Sequence, residues 1–355
     1  MIASKKRVFL CGAIACMLLT GACSKNEATG TELDEADDIA AETTVDEDED
    51  PVIENAPYTE PLTGIGTEEE LTRSAFGVMI ENSTHARPQT GLYQADVVYE
   101  VLSEASITRF LAFYHSQEPD TIGPVRSARD YYVHLNKGYG AIYVSAGGSP
   151  DGLALAEGGY VPFISGLAYD GRYFTRSSDR SAPHNMYTSF SNLEAAAEKL
   201  GYDMNNVPPS LPYTSDQSEG KKADRFEVKY GSTSNNVQYA YDDELGGFRR
   251  SNGGVPTEDA ANGTPVAPKN VFVLEASHRV IDDAGRRDID LSSGGKAYLF
   301  QEGVMQELEW RNENGVILPY KDNEPAGFVP GQTWINIVPK ENGGLSSHVA
   351  IEGME

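Results

Sequence analysis

The sequence predicts an α+β or α/β domain followed by a smaller all-β domain, set behind an export signal and an acidic tether. Three observations carry this expectation. Strand-like and helix-like patterns alternate between residues 61 and 205, only short strand-like runs punctuated by Gly, Asn and Asp occupy residues 223 to 340, and a Pro-rich, polar segment at 206–222 separates the two regions. At 355 residues the chain is long enough for each domain to bury its own core.

The chain opens with Lys5, Lys6 and Arg7, an apolar run from Val8 to Leu19, and the small-residue stretch Thr20-Gly21-Ala22-Cys23. Residues 1–23 read as a secretory signal, too short for a permanent membrane anchor. Cys23 stands where a bacterial lipoprotein signal places the cysteine that is diacylated. Cys11 and Cys16 leave with the signal, so the mature chain would keep Cys23 alone, which rules out an internal disulfide, a Cys-rich zinc site and an iron–sulfur cluster. Two acyl chains hold a protein stably. The expected location is extracytoplasmic, lipid-anchored to the outer face of the cell membrane.

The formal net charge of −26 comes from 54 acidic and 28 basic side chains. Such a balance argues against nucleic acid as a partner, since that binding needs Lys and Arg against phosphates. Residues 26–70 hold 17 of the acids and no Lys or Arg, including the run Asp46 to Asp50. A stretch so acidic and poor in aromatics gains too little from burial to offset its ordering entropy, so residues 24–60 are expected to be a disordered tether.

Phe76 to Ile80 reads as a buried strand; Ala95 to Leu102 and Ile107 to His115 read as an antiparallel pair, given the short connection between them. Ser127 is placed to cap a helix through Leu135 to Lys137, with Gly138 as its stop. Ala141 to Ser145 is a strand, and Ser149-Pro150 opens a helix in the favoured order of cap then Pro. Ser191 and Glu194 form a capping box for a helix ending at Gly201. In the second domain Phe226–Tyr230, Val237–Tyr241, Asn270–Leu274, Lys296–Phe300, Val304–Trp310 and Thr333–Val338 read as strands, with hairpin turns at Glu302-Gly303 and Asn314-Gly315. Tyr239, Tyr241, Trp310 and Trp334 read as core or edge aromatics, and residues 341–355 as a flexible tail.

Chemistry concentrates in residues 71–205, where eight Arg accompany two Lys. Arg carries a rigid fork suited to carboxylate and phosphate, whereas Lys serves as a solvated point charge. Arg109 follows the turn between two strands. Arg126 and Arg129 sit in Gly123-Pro124-Val125-Arg126-Ser127-Ala128-Arg129-Asp130 at a helix start, beside backbone N–H groups that favour anions. Arg172, Arg176 and Arg180 recur every four residues, close to Asn185. These seven side chains, Arg109, Arg126, Arg129, Arg172, Arg176, Arg180 and Asn185, are the expected ligand-binding set. The bland alternative pairs Arg126 or Arg129 internally with Asp96, Glu100, Glu104 or Asp130. The glycine-containing turn Ser145 to Ser149 offers a second backbone cradle, without the Lys of a Walker loop. No His-Glu-x-x-His or Gly-x-Ser-x-Gly spacing occurs, so no metal site is expected and the catalytic candidates reduce to Asp96, Asp130 and His184, the last beside Asp170 or Asp179.

These residues resemble the YerB-like family of Gram-positive lipoproteins, a two-domain family of unknown function. The stretches that carry the resemblance are Ala86-Arg87-Pro88-Gln89-Thr90-Gly91-Leu92, Ala95 to Glu100, Ile107-Thr108-Arg109-Phe110, Ile122 to Tyr131, Ala182-Pro183-His184-Asn185 and, in the second domain, Gly331-Gln332-Thr333-Trp334-Ile335. The resemblance covers roughly residues 60 to 340 and implies a membrane-anchored envelope protein, with no activity attached. By analogy alone, Asp96, Arg129-Asp130 and Arg176 with Arg180 follow the order of acidic and Arg-rich motifs around the pyrophosphate of LytR-CpsA-Psr ligases.

The leading expectation is a lipoprotein that binds an anionic envelope component, or an envelope protein, through the Arg cluster without a cofactor. The alternatives are a phosphotransferase or hydrolase acting on a lipid-linked pyrophosphate glycan, the one reading that would call for a divalent cation, and a structural protein whose arginines are all internally paired.

Overall fold

Phe76–Glu81 (β1), Val97–Glu104 (β2) and Ile107–Tyr114 (β3) are buried along almost their whole length, because the sheet they form is covered on both faces. The computed structural model describes residues 56–216 and 218–353. The signal sequence, Cys23 and nearly all of the acidic tether lie outside the described residues. Successive side chains of the three strands point to opposite faces. Met79, Tyr99, Leu111 and Phe113 meet Tyr131, Tyr132 and Leu135 of Asp130–Gly138 (α1), while Phe76, Val78, Ile80 and Phe110 enter a second core cluster. Beyond α1 the chain forms Ile142–Ser145 (β4), Pro150–Glu157 (α2), Phe163–Ser165 (β5), the small hairpin Thr175–Arg176 (β6) with Met186–Tyr187 (β7), and Phe190–Leu200 (α3), whose Phe190, Leu193, Ala196 and Ala197 fill that second cluster.

Two helix starts differ from expectation. The Asp130–Gly138 helix begins after Arg129, and Ser127 Oγ instead donates to Ala146 O at 3.2 Å. Helix α3 is capped by Ser189, whose Oγ accepts the Asn192 N–H at 3.1 Å, two residues before the Ser191 of the apparent capping box. Both serines can cap, and packing of Phe190 into the core selects the earlier one. Ser149 caps α2 as expected, accepting the Gly152 N–H at 3.2 Å.

The second half is strand-rich. Arg225–Val228 (β8), Val237–Asp242 (β9), Gly247–Asn252 (β10) and Val255–Pro256 (β11) pair antiparallel in order. Asn270–Val280 (β12) pairs antiparallel with both Arg287–Asp290 (β13) and Gly295–Gln301 (β14), and β14, Val304–Glu313 (β15) and Val316–Lys321 (β16) form successive hairpins, with Glu302-Gly303 and Asn314-Gly315 at positive φ in their turns. Thr333–Pro339 (β17) then lies parallel to β12 on one side and to β2 on the other, with Thr333 opposite Val97 and Ile337 opposite Val101. One 13-stranded sheet therefore runs through both halves of the chain. Strand patterns mark where strands are, and they do not say that the last of them inserts beside an early one.

Two segments, the one that reads as a linker at 206–222 and the one that reads as a flexible tail, are built in over their described residues. In 206–222, the Leu211 N–H donates to Pro61 O, Tyr213 bridges to Phe328, and Lys221–Lys222 pairs with Val304–Met305. In 341–355, Leu345–His348 (α4) buries Leu345, and Val349–Ile351 (β18) pairs with β8. The apolar side chains of Leu345 and Val349 join the third core cluster with Phe226, Val228 and Phe300, enough to hold so short a piece.

The halves are also joined by a buried ion pair. Glu100 Oε2 accepts from Arg250 Nη2 at 2.9 Å and from Trp334 Nε1 at 3.3 Å, while Oε1 accepts from Thr108 Oγ1 at 2.8 Å and Asn82 Nδ2 at 3.2 Å. The Arg250 guanidinium lies 4.9 Å from the Trp334 ring centroid and 5.3 Å from that of Phe110. Every lone pair direction of this carboxylate is used, which is the condition under which a buried charge is tolerated.

Candidate functional site

Strands β1, β4 and β5 are parallel, so their carboxyl ends, at Glu81, Ser145 and Ser165, share one edge of the sheet. In open sheets with covering helices this edge is where ligands are bound. The segment Gly123 to Arg129 crosses it: the Glu81 N–H donates to Pro124 O, the Arg126 N–H to Met79 O, and the Ala128 N–H to Gly147 O at 2.8 Å. The Ser149 N–H returns a bond to Ala128 O, which brings the N-termini of α1 and α2 side by side. Ser149 caps α2, and the Asp130 carboxyl lies on the N–H groups of Asp130 and Tyr131 at the start of α1. Partial burial raises the Asp130 carboxyl above its ordinary range against those bonds.

Three of the expected arginines converge here. Arg109 Nη2 donates to both oxygens of Glu104, at 3.1 and 2.9 Å, and its Nη1 donates to Ser127 O at 3.1 Å. Arg129 pairs with the same carboxylate through Nη2. Arg126 Nε faces Glu81 Oε2 at 3.4 Å, without the geometry of a hydrogen bond. Burial disfavours the charged form of all three guanidinium groups, and Arg109 and Arg126 repel each other. Glu104, one of the carboxylates named as an internal partner, thus serves two arginines at once.

The cluster extends into the second half of the chain. The β12–β13 hairpin reaches the β2–β3 turn, where Arg287 Nη2 donates to Ala105 O at 2.7 Å, next to Glu104. Arg286 on the same hairpin bonds Asp282, and its charge reaches Arg129. Five guanidinium groups therefore stand among the carboxylates of Glu81, Glu104, Asp130 and Asp282, and the charge of Glu341 reaches Arg287. Among the described residues, four arginine Nε atoms are buried without a hydrogen-bond partner, and three of them, those of Arg126, Arg129 and Arg287, are in this cluster. Buried donors are paired in the great majority of cases; of these, Arg126 Nε stays beside the Glu81 carboxylate, and all of them are shielded from solvent, like Arg250 Nε in the interior.

The remaining expected residues divide. His184 Nδ1 meets Glu81 Oε1 at 2.8 Å rather than Asp170 or Asp179, and its ring stacks on His85 with centroids 5.4 Å apart. Ser83 Oγ donates to the same Glu81 oxygen at 2.8 Å. Arg176 Nε and Nη1 bond Asp170 and Asn185, at 2.6 and 2.9 Å, and Asn185 donates to Ser177 O, so these residues hold the β6–β7 hairpin. Arg180 clasps Ala86 O, Pro88 O and the Tyr187 hydroxyl. Arg172 is exposed over the Tyr173 ring. Asp96 lies at the other end of β2, about 26 Å of extended strand from Glu104, where it accepts from the N–H groups of His115 and Ser116 and from the Ser116 hydroxyl. Burial pushes its carboxyl up to about 7. The order of motifs along the chain that suggested the pyrophosphate ligases is therefore not an assembly in space: Asp96 is separate, and Arg176 and Arg180 hold loops.

Sequence reasoning missed Glu81, Arg286 and Arg287. Glu81 had a visible signal, an acid directly following an apolar strand. The two arginines had none, since their place beside Glu104 depends on how the β12–β13 hairpin leans over the β2–β3 turn.

Two models of one family match the chain: the N-terminal domain of the proteins of unknown function DUF3048 over residues 62–203, and their C-terminal domain over residues 226–335. The chain belongs to this family. A DUF3048 relative from Bacillus subtilis (strain 168), described as "Putative lipoprotein YerB", is 47% identical over 283 residues, which are 79% of this chain and 86% of the relative. The crystal structure of the YerB protein from Bacillus subtilis matches with a TM-score of 0.77 at 43% identity, covering 83% of this chain and 99% of that one. The YerB-like resemblance carried by the Ile122 to Tyr131 and Gly331 to Ile335 motifs is thereby established. In the DUF3048 fold seen here, the first motif is the segment crossing the strand ends and the second opens β17, the strand that joins the halves.

Proposed function

We propose that this DUF3048 protein is an extracytoplasmic lipoprotein, anchored to the outer face of the membrane through Cys23, that binds an anionic component of the cell envelope at the Arg109–Arg126–Arg129 cluster. The relative named as a lipoprotein supports the anchoring, together with the signal-like N-terminus. One observation supports the binding above all: the partly exposed Arg126 guanidinium and the Arg109–Arg129 pair sit beside two helix N-termini at the carboxyl ends of parallel strands. Guanidinium donors of this kind take phosphate or carboxylate oxygens in short, charge-assisted bonds. No step of bond making or breaking is part of this reading; Glu81 and His184 orient Arg126 and shape the site.

The test uses the chain carrying Cys23→Ser, which keeps every described residue and cannot be acylated at that position. Calorimetric titration with inorganic diphosphate is expected to give saturable binding that weakens as salt is raised. Arg129→Gln is expected to lower the affinity about tenfold or more, the loss that goes with one charge-assisted hydrogen bond. Absence of binding at low salt in a folded sample would remove the proposal.

A further inference from the structure

Seven large apolar side chains are markedly exposed among the described residues, and three of them stand around the arginine cluster. Leu167, 57% exposed, follows the end of β5 and packs on the Gly147 turn: its Cδ1 and Ser127 Oγ lie 3.3 and 3.8 Å from where a side chain on Gly147 would begin. Ser127 is the residue whose carbonyl accepts from Arg109. Val280 and Ile281, 56% and 47% exposed, are at the tip of the β12–β13 hairpin. Val280 is directly opposite Arg287 across that hairpin, so the two side chains share a face, and Arg287 is bonded to the turn that carries Glu104. Apolar groups thus reach the cationic cluster from two separate loops, one from each half of the chain.

A free inorganic anion would leave these three side chains in water. A ligand with an anionic head and a hydrocarbon tail would place oxygens on the partly exposed guanidinium groups of Arg126 and Arg287 and methylenes on Leu167, Val280 and Ile281. We infer that the ligand class of this site is an anionic amphiphile, with a phosphate or diphosphate head and an aliphatic chain, an inference that rests on the anion-binding reading above. The hairpin from the second half is then part of the site, contributing both a guanidinium and an apolar wall. The amphiphile has two natural sources in an envelope: the headgroup of a bilayer phospholipid, and a single lipid-linked phosphate held away from the bilayer.

The experiment separates head from tail. The Cys23→Ser chain is titrated with inorganic phosphate, butyl phosphate and decyl phosphate, the last kept below its aggregation concentration. Each buried methylene is expected to raise affinity about fourfold, so decyl phosphate should bind at least about tenfold more tightly than butyl phosphate even if only two or three methylenes are covered. Leu167→Ser combined with Val280→Ser should abolish that gain and leave inorganic phosphate binding unchanged. Both positions are exposed, and an unchanged melting temperature checks that the variant is folded. Equal affinity for butyl and decyl phosphate would overturn the amphiphile while leaving the anion site standing; failure of all three ligands to bind would remove the anion site itself, and the amphiphile with it. Sedimentation with phosphatidylglycerol vesicles, against phosphatidylcholine vesicles, then assigns the source: retention that is lost in the double variant identifies bilayer headgroups, and tight decyl phosphate binding without retention identifies a single lipid-linked molecule.

Discussion

Glu104→Gln is the substitution for which stability and binding should move in opposite directions. The Glu104 carboxylate is the shared counter-charge of Arg109 and Arg129, each with a side chain only 7% exposed. Removing one partner of a fully buried pair costs about 3–5 kcal/mol. The Glu104 side chain is 25% exposed, so water compensates part of the loss and about 2–3 kcal/mol is the expected destabilisation. The same change removes a negative charge beside the bound anion. At a separation of about 6 Å and an effective dielectric of about 20, that repulsion amounts to roughly 3 kcal/mol, and with screening a gain in diphosphate affinity of at least about tenfold is expected. Urea unfolding with and without diphosphate measures both. The variant should unfold at lower urea than the parent, and diphosphate should restore it by more than it stabilises the parent, because tighter binding to the native state adds more at a given concentration. A Glu104→Gln chain as stable as the parent, with the same diphosphate affinity, would refute the reasoning that this carboxylate holds two buried cations at an anion site.

Three further outcomes follow from the structure. Glu100→Gln and Arg250→Met should each destabilise by about 3–5 kcal/mol, and the pair together by clearly less than the sum; additivity within about 0.5 kcal/mol in a urea-denaturation cycle would mean that the two halves are not held by this pair. Stability should rise with pH between about 4 and 6.5, since His115 and His278, both lowered to about 4 chiefly by burial, together bind two fewer protons in the native state than unfolded, while Asp96, raised to about 7, binds one more. The Asp96 contribution has the opposite sign, being present at low pH and lost as pH rises through 7, so Asp96→Asn should steepen the rise; a flat profile in both proteins would contradict these assignments. Ser189→Ala should cost about 1 kcal/mol and Ser191→Ala should cost clearly less, because Ser189 is the side chain that takes the Asn192 N–H; thermal melting of the two variants distinguishes them.

Much of the fold was legible because it is local. The apolar runs at 76–80, 95–102 and 107–115 specify buried strands by composition, Ser149-Pro150 fixes a helix start, and Glu302-Gly303 and Asn314-Gly315 supply the positive φ of two hairpin turns. What was not legible depends on pairing at a distance. Thr333–Pro339 reads as one more strand of a second domain, yet its neighbour is β2, about 235 positions earlier in the chain. Leu345 and Val349 sit in a short polar stretch that looks like a tail until the third core cluster receives them. The candidate site divides in the same way. Arg109, Arg126 and Arg129 could be chosen from the excess of Arg over Lys and, for the last two, from their place at a helix start, whereas Arg172, Arg176 and Arg180, chosen for their spacing, belong to a loop whose internal bonds use two of them. Arg287 completes the cluster only through a tertiary contact with the β2–β3 turn.

The central claim is that the guanidinium groups of Arg126, Arg129 and Arg287 bind an anion. Arginine side-chain Nε–H resonances report on each of these donors directly. On titrating inorganic diphosphate into the Cys23→Ser chain, the resonances of these three arginines should shift in a saturable way while that of Arg250, held by Glu100 and Thr257 in the interior, stays in place. Unchanged Arg126, Arg129 and Arg287 resonances at saturating diphosphate would contradict the account.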